Sequence, residues 1–264
     1  MKKLRSGILF IVLILFVITG CLKAAMADEY KFPFNPEERM TFQVRWAFLP
    51  AGEAVLEVLP IENLSGVTTY HFVFTAKTNE FVDLIYKVRD RIDSYTDKDM
   101  TRSLMYRKQH QGKSKKDAII YFDWERKQAQ YSNFGEKREP IDIMPGTFDP
   151  LSVFFAFRLH DPNVLTEISV PVTDGKKCIV GKAKVIKRES INVAGSSYDT
   201  FLVEPELEHI RGVFQKSKNA KLQIWITADS RRIPVRIKSK VLVGSFVAEL
   251  VSFEKGSVAG HAEK

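Results

Sequence analysis

Phe148-Asp149-Pro150-Leu151-Ser152-Val153-Phe154-Phe155-Ala156-Phe157-Arg158-Leu159 is the stretch on which the fold turns. It predicts a helix in a mature chain that otherwise reads as strands. The Asp149 carboxylate can accept the free backbone N–H groups of a first helical turn. Pro150 suits the first helical position, where its missing N–H costs nothing. Apolar residues then run almost all the way round, the pattern of a helix buried on every side. Such a helix needs a sheet that curls about it. His160-Asp161-Pro162-Asn163 ends it.

Upstream of this helix the period is two. In a strand at 41–46, Phe42, Val44 and Trp46 share one face and Thr41, Gln43 and Arg45 the other. Pro50-Ala51-Gly52 turns the chain into a partner with Ala54, Leu56 and Val58 inward. Tyr70, Phe72, Phe74 and Ala76 form the next inward row. Alternation then predicts a strand with Leu84, Tyr86, Val88 and Ile92 inward, opposite Lys87, Arg89, Arg91 and Asp93. Asp90 interrupts that row, as at a bulge or a sheet rim, where Arg89 or Arg91 is its expected ion-pair partner. Strands at 104–109, 118–123 and 128–132 follow, and Pro140 and Pro145-Gly146 break the pattern before the helix.

Downstream, strands are predicted at 168–172, 176–181, 183–191, 198–204, 221–227, 234–243 and 245–253. Short strands joined by turns imply mostly antiparallel pairing. The expected fold is therefore mainly β: a curled antiparallel sheet, or incomplete β-barrel or sandwich, with one central apolar helix. Residues 31–254 read as a single β-rich domain and 255–264 as a flexible tail.

Residues 1–27 read as an export signal. Lys2, Lys3 and Arg5 precede an apolar run from Gly7 to Ile18 that is short for a membrane span. Two cleavage patterns compete. Ile18-Thr19-Gly20-Cys21 resembles a lipobox, in which Cys21 is lipidated and anchors the protein to the membrane. Ala25-Met26-Ala27 fits ordinary signal cleavage instead. Both remain open, and both place the mature protein in the periplasm. Loss of Lys2, Lys3 and Arg5 lowers the net charge from +8 to about +5. The remaining charges are interleaved, as in Lys87-Val88-Arg89-Asp90-Arg91-Ile92-Asp93, which reads as a solvated strand face and not a nucleic-acid surface. The basic loop Gln111-Gly112-Lys113-Ser114-Lys115-Lys116 reads as a solvated hairpin tip, or alternatively as a contact for anionic lipid or an acidic partner.

Catalytic signals are weak. The histidines at 71, 110, 160, 209 and 261 show no paired spacing, and neither a zinc motif, a phosphate loop nor a nucleophile elbow occurs. No catalytic residue, metal or cofactor is predicted. Of the two cysteines, Cys178 is left alone in a strand pattern and reads as buried and inert. Asp90, Asp93 and Asp123 form the one carboxylate constellation worth testing for hydrolase chemistry. The aromatic load offers a different possibility. Trp46, Phe72, Phe74, Tyr86, Phe154, Phe155, Phe157 and Trp225 are candidate walls of a pocket for an apolar or lipid-like ligand, although a large β-domain also needs aromatics for its core.

Several segments together resemble a bacterial exported family known as a domain of unknown function, DUF3108. They are Glu38 to Val44, Pro50-Ala51-Gly52-Glu53-Ala54, Tyr86-Lys87-Val88-Arg89-Asp90, Phe148 to Ser152, Ile224-Trp225-Ile226-Thr227 with Asp229, Arg232-Ile233-Pro234-Val235, and Ser239-Lys240. The likeness covers roughly residues 33–254. It implies a periplasmic β-rich domain with a curled sheet, and no established activity. The first functional expectation is a non-enzymatic envelope protein that holds a hydrophobic ligand in the curled sheet. The alternative is a structural or interaction protein of the envelope. A hydrolase ranks last. What faces Phe154, Phe155 and Phe157 decides whether the helix is a plug or a lid.

Overall fold

Strand pairing puts the first and the last described strands side by side in the middle of one antiparallel sheet. The computed structural model describes residues 32–112, 115–206, 220–241 and 244–256. The described chain from Pro33 onward belongs to one compact unit. The export signal, Cys21, Lys113, His209 and His261 lie outside the described residues.

The first arm runs through β1 (Arg39–Trp46), β2 (Leu49–Val58), β3 (Glu62–Leu64), β4 (Val67–Thr78), β5 (Val88–Asp97), β6 (Ser103–Gly112), β7 (Lys115–Asp123), β8 (Gln128–Asn133), β9 (Glu136–Lys137) and β10 (Ile141–Asp142). The second runs through β11 (Glu167–Thr173), β12 (Cys178–Val193), β13 (Ser196–Pro205), β14 (Lys221–Thr227), β15 (Pro234–Val241) and β16 (Gly244–Glu254). β1 pairs with β16, so the arms extend from the centre towards β10 on one side and β11 on the other. The sheet curls but is not closed into a barrel. Its two edges meet at Phe148, whose N–H donates to the Pro171 carbonyl and whose carbonyl accepts from Thr173 N–H, each at 2.9 Å.

The helix α2 (Ser152–Arg158) carries the chain between the edges and lies in the concavity. Its cap is Asp149. One carboxylate oxygen accepts the N–H groups of Leu151 and Ser152 at 2.8 and 2.9 Å, and the Asp149 carbonyl accepts the first helical bond, from Val153, at 3.1 Å. The second carboxylate oxygen accepts the hydroxyls of Ser94, Ser103 and Ser152 at 2.6, 2.7 and 2.7 Å. The cap therefore also ties the helix to β5 and β6, and all four of these residues are fully buried.

Phe155 and Phe157 divide the helix between the arms. Phe155 stacks on Phe72 of β4 at 3.9 Å, and Phe34, from the lead-in before β1, meets it edge-on at 5.3 Å. Phe157 packs on Ala183, Phe201, Val203 and Ile226 of the second arm. The helix ends in a buried ion pair. Arg158 donates to Glu38 Oε1 at 2.8 Å and to the carbonyls of Pro33 and Arg231, each at 2.9 Å.

Two expectations need correction. The segment 80–86, predicted as strand, is a second helix, α1 (Glu80–Tyr86). Asn79 Oδ1 accepts the Val82 N–H at 2.9 Å, and Asp83 in the first turn pairs with Arg89. Capping and first-turn acids outweigh the apparent period of two. The strands predicted at 176–181 and 183–191 are one long β12, because Gly181 and Lys182 continue the ladder against Val170 and Ser169. The first two residues of the predicted tail, Lys255 and Gly256, are placed, and 257–264 lie outside the described residues. Gly256 is buried, and a Cβ there would stand 1.8 Å from the Pro36 carbonyl oxygen, so only glycine fits.

Breaking the Arg158–Glu38 pair tests how far the helix depends on it. Arg158→Met leaves a buried carboxylate unpaired and is expected to cost about 3–5 kcal/mol, while Glu38→Gln in the same chain recovers part of the loss. Urea denaturation of the two variants gives both values; a loss under about 1 kcal/mol for Arg158→Met would remove the anchoring role.

Candidate functional site

The candidate pocket walls do not assemble into one wall. Phe72, Phe154 and Phe155 meet, with Phe154 edge-on to Phe155 at 5.8 Å, but their rings fill the space between helix and sheet. Phe74 is half-buried further along the same face of β4. Phe157 faces the other arm. Trp225 lies on the opposite face of β14 from Ile224 and Ile226, where its Nε1 donates to Glu189 at 3.0 Å and Arg236 covers its ring. Trp46 stacks on Phe246 at the end of β1, and Tyr86 sits exposed on α1. Around Phe155 the helix is a plug.

The carboxylate constellation separates as well. Strand register puts Asp90 on the face of Phe72, where it binds His110 across the strands, rather than Arg89 or Arg91. Asp93 lies on the other face, and Asp123 is held by Arg126 at 3.0 Å in the β7–β8 turn. Deeper on the Asp90 face, burial and the nearby Asp149 and Asp90 carboxylates push the Tyr106 hydroxyl up. Burial, with Lys108 and Lys176 close by, pushes Lys116 down. Among the described residues every buried side-chain nitrogen and oxygen has a hydrogen-bond partner. Cys178 is half-buried rather than buried, with its sulfur 3.4 Å from the Thr147 hydroxyl.

The outer face carries a groove of about 400 Å³ lined by Arg39, Glu53, Lys77, Arg89, Arg91 and Gln109 among others. Its charges are paired: Lys77 with Glu53 at 3.2 Å, Arg89 with Asp83 at 2.6 Å, and Arg91 with Asp93 at 2.7 Å. That is the solvated strand face read from the interleaved charges. Within it His71 stands between two carboxylates, Glu62 at 2.7 Å and Asp93 at 2.9 Å, and stacks on Tyr95. Burial opposes the charge on Asp93, but hydrogen bonds from His71 and Arg91 outweigh it and hold the carboxyl below its ordinary range.

One end of the sheet differs from the rest of the surface. On α1, Phe81, Leu84, Ile85 and Tyr86 are 59%, 85%, 63% and 50% exposed, while Val82 is buried. Phe81, Leu84 and Ile85 recur at helical spacing on one side, so the helix turns its apolar face to solvent. The β1–β2 tip adjoins it, because Asn79 bonds Pro50 and Ala51, and that tip presents Phe48, 84% exposed. On the other flank, Gly112 lies against the Lys87 carbonyl, which brings in the β6–β7 tip with Lys115 and Lys116. Phe134, at the β8–β9 turn, bonds Asp117 and continues the row. Each such side chain would gain roughly 1.5–3 kcal/mol on full burial, so exposing several of them at one end of the sheet is costly.

A family model described as a protein of unknown function, DUF3108, matches residues 41–251. The chain belongs to the DUF3108 family. No curated protein matches it. Among solved structures it is similar to a β-barrel-like protein of the domain of unknown function DUF1849 from Brucella abortus, at 9% identity and a TM-score of 0.54, over 85% of this chain and 100% of that one. A hypothetical protein from Chlamydia trachomatis aligns at 8% identity and a TM-score of 0.38, over 85% and 90% of the two chains. The Brucella likeness shows the fold alone.

The apolar rim of this DUF3108 member was missed because Leu84 and Tyr86 fit a period of two with Val88. The signal that could have found it was Asn79 followed by Glu80 and Asp83, a helix start, with Phe81, Leu84 and Ile85 at helical spacing.

The His71–Asp93–Arg91 cluster has a defined pH signature. The folded Asp93 pKa is depressed, so its contribution to stability is present above the unfolded value near ~3.9 and is lost as pH falls through the folded value. Asp93→Asn is therefore expected to lower the denaturation midpoint at neutral pH and to converge on the parent in strong acid. Midpoints measured across pH check this, and a constant offset between the two curves would contradict it.

Proposed function

We propose that this protein is a non-enzymatic periplasmic component of the cell envelope that works by docking through the apolar rim around α1. The observation that carries this reading is the outward apolar face of α1, extended by Phe48 on one flank and Phe134 on the other. The export pattern of residues 1–27 supports the compartment, and lipidation of Cys21 would tether the domain to a membrane.

The geometry favours docking over ligand storage. A ligand held in the curl would occupy the space that Phe155 fills against Phe72 and Phe34. It would also need Tyr86 and Trp225 on its wall, and both point elsewhere. A hydrolase would need carboxylates that converge, whereas Asp90 and Asp93 sit on opposite faces of β5.

Photo-crosslinking in cells tests the docking surface. A photoreactive residue at Leu84 is expected to give adducts in the envelope, and the same residue at Val251, half-exposed on β16, is expected to give few. Equal labelling at both positions, or none at Leu84, would sink the proposal.

A further inference from the structure

We infer that the rim is a seat for an anionic lipid bilayer, entered by the apolar side chains of α1 and the β1–β2 tip and held by lysines at the headgroup level. This deepens the docking reading above and rests on it.

The topology places the parts together. In the first arm the β1–β2, β4–β5, β6–β7 and β8–β9 connections all lie at the same end of the sheet, because antiparallel neighbours alternate direction. Their tips present Phe48, then Phe81, Leu84, Ile85 and Tyr86, then Lys115 and Lys116, then Phe134. The connections at the other end are different in kind. They carry ion pairs, Lys98 with Asp99 at 3.0 Å, Arg102 with Asp97 at 3.7 Å, Arg126 with Asp123 at 3.0 Å and Arg231 with Asp229 at 2.5 Å.

Charge selects the occupant. Lys87 and Lys115 are exposed, Lys116 is half-exposed, and among the described residues none of the three has a carboxylate within ion-pair distance. The Lys87 neighbour Asp83 is already engaged by Arg89 through two hydrogen bonds, at 3.1 and 2.6 Å. Glu80 at the start of α1 and Glu136 beside Phe134 are opposing charges on the rim, the latter followed by exposed Lys137. Lysines with long apolar stems beside projecting Phe, Leu and Ile side chains suit a boundary where tails and anionic headgroups meet. Tyr86, half-exposed at the lysine side of the helix, has the amphipathic ring favoured at that depth. A cleft of about 180 Å³ between the β1–β2 tip and the start of α1 is lined by Gln43, Pro50, Gly52, Glu53, Lys77, Thr78 and Asn79, so none of the projecting aromatic or aliphatic side chains lines it. The apolar side chains here project from separate tips.

The test reads the rim locally, so that an N-terminal anchor does not confuse it. Hydrogen exchange of the full chain is measured with vesicles of phosphatidylcholine alone and with vesicles containing phosphatidylglycerol. The expected result is slower exchange at residues 80–87 and 47–50 on the anionic vesicles only, weakened by added salt. Leu84→Glu with Ile85→Glu is expected to abolish it. Both side chains are largely exposed, so far-UV circular dichroism and the denaturation midpoint should match the parent. Lys87→Gln and Lys115→Gln should each weaken binding through the rim about fivefold. No protection on anionic vesicles, or protection that ignores lipid charge and both lysine variants, overturns the inference. A protein adduct from the photoreactive residue at position 84, with no vesicle protection, would keep the docking reading and discard the bilayer. Failure of both measurements discards both.

Discussion

The structure depends on one buried charge. Arg158 and Glu38 are each 2% exposed, and the guanidinium also reaches backbone carbonyls at Pro33 and Arg231. Burial works against the charged form and lowers the Arg158 pKa, with Glu38 opposing that shift. Arginine starts so high that it stays ionised, so the charge must be met by partners. Those partners come from two distant places in the chain, the lead-in and the β14–β15 turn. The lead-in, the end of α2 and the β14–β15 turn are thereby brought to one point, and Phe34 is drawn under the guanidinium at 5.4 Å. Once these are in place, Phe155 has nowhere to lie but on Phe72.

That constraint divides the molecule by chemistry. Near α2 the curl is filled by aromatic rings and by the serine hydroxyls around Asp149. At the α1 end the sheet shows apolar side chains and lysines to solvent. The two carboxylate–histidine pairs, Asp90 with His110 and Asp93 with His71, hold neighbouring strands on opposite faces. They bind β-structure together, and the two acids that do converge, Glu62 and Asp93, meet on the ring of His71. The functional reading follows from this division: around Phe155 the curl is filled, and the rim shows uncovered apolar surface.

Much of this was legible in the residues. Phe148 to Leu159 predicted a capped and buried helix, and Asp149 is the cap. The alternation in 41–46 and 70–76 placed those strands with the correct inward face, since such patterns report one buried side directly. The family likeness matched the span later found. Less was legible at the site. Trp225 looked like any other strand aromatic, and only the packing of Ile224 and Ile226 shows that it faces outward. Arg158 looked like the polar end of a helix. Nothing local announces that Glu38, far upstream, is its partner, because long-range ion pairs leave no periodic signal.

The segment from Asn79 to Ile92 shows where the boundary lies. Both periods fit its apolar residues, so the sequence was ambiguous there. The local cap of Asn79 on the Val82 N–H and the Asp83–Arg89 pair favour the helix, and the bond from Asn79 to Pro50 on the β1–β2 tip, formed only once β2 and β4 lie side by side, holds it in place. By itself the sequence determined the mainly β class, the mostly antiparallel pairing and the buried helix between two runs of strands, because these follow from local propensity and periodicity. Only the tertiary structure decided that the helix is a plug, that the strand edges stop short of a barrel, and that the apolar face of α1 looks outward. Those depend on which distant groups satisfy one another, and burial of a charge or an aromatic ring is settled by the whole packing rather than by its neighbours in the chain.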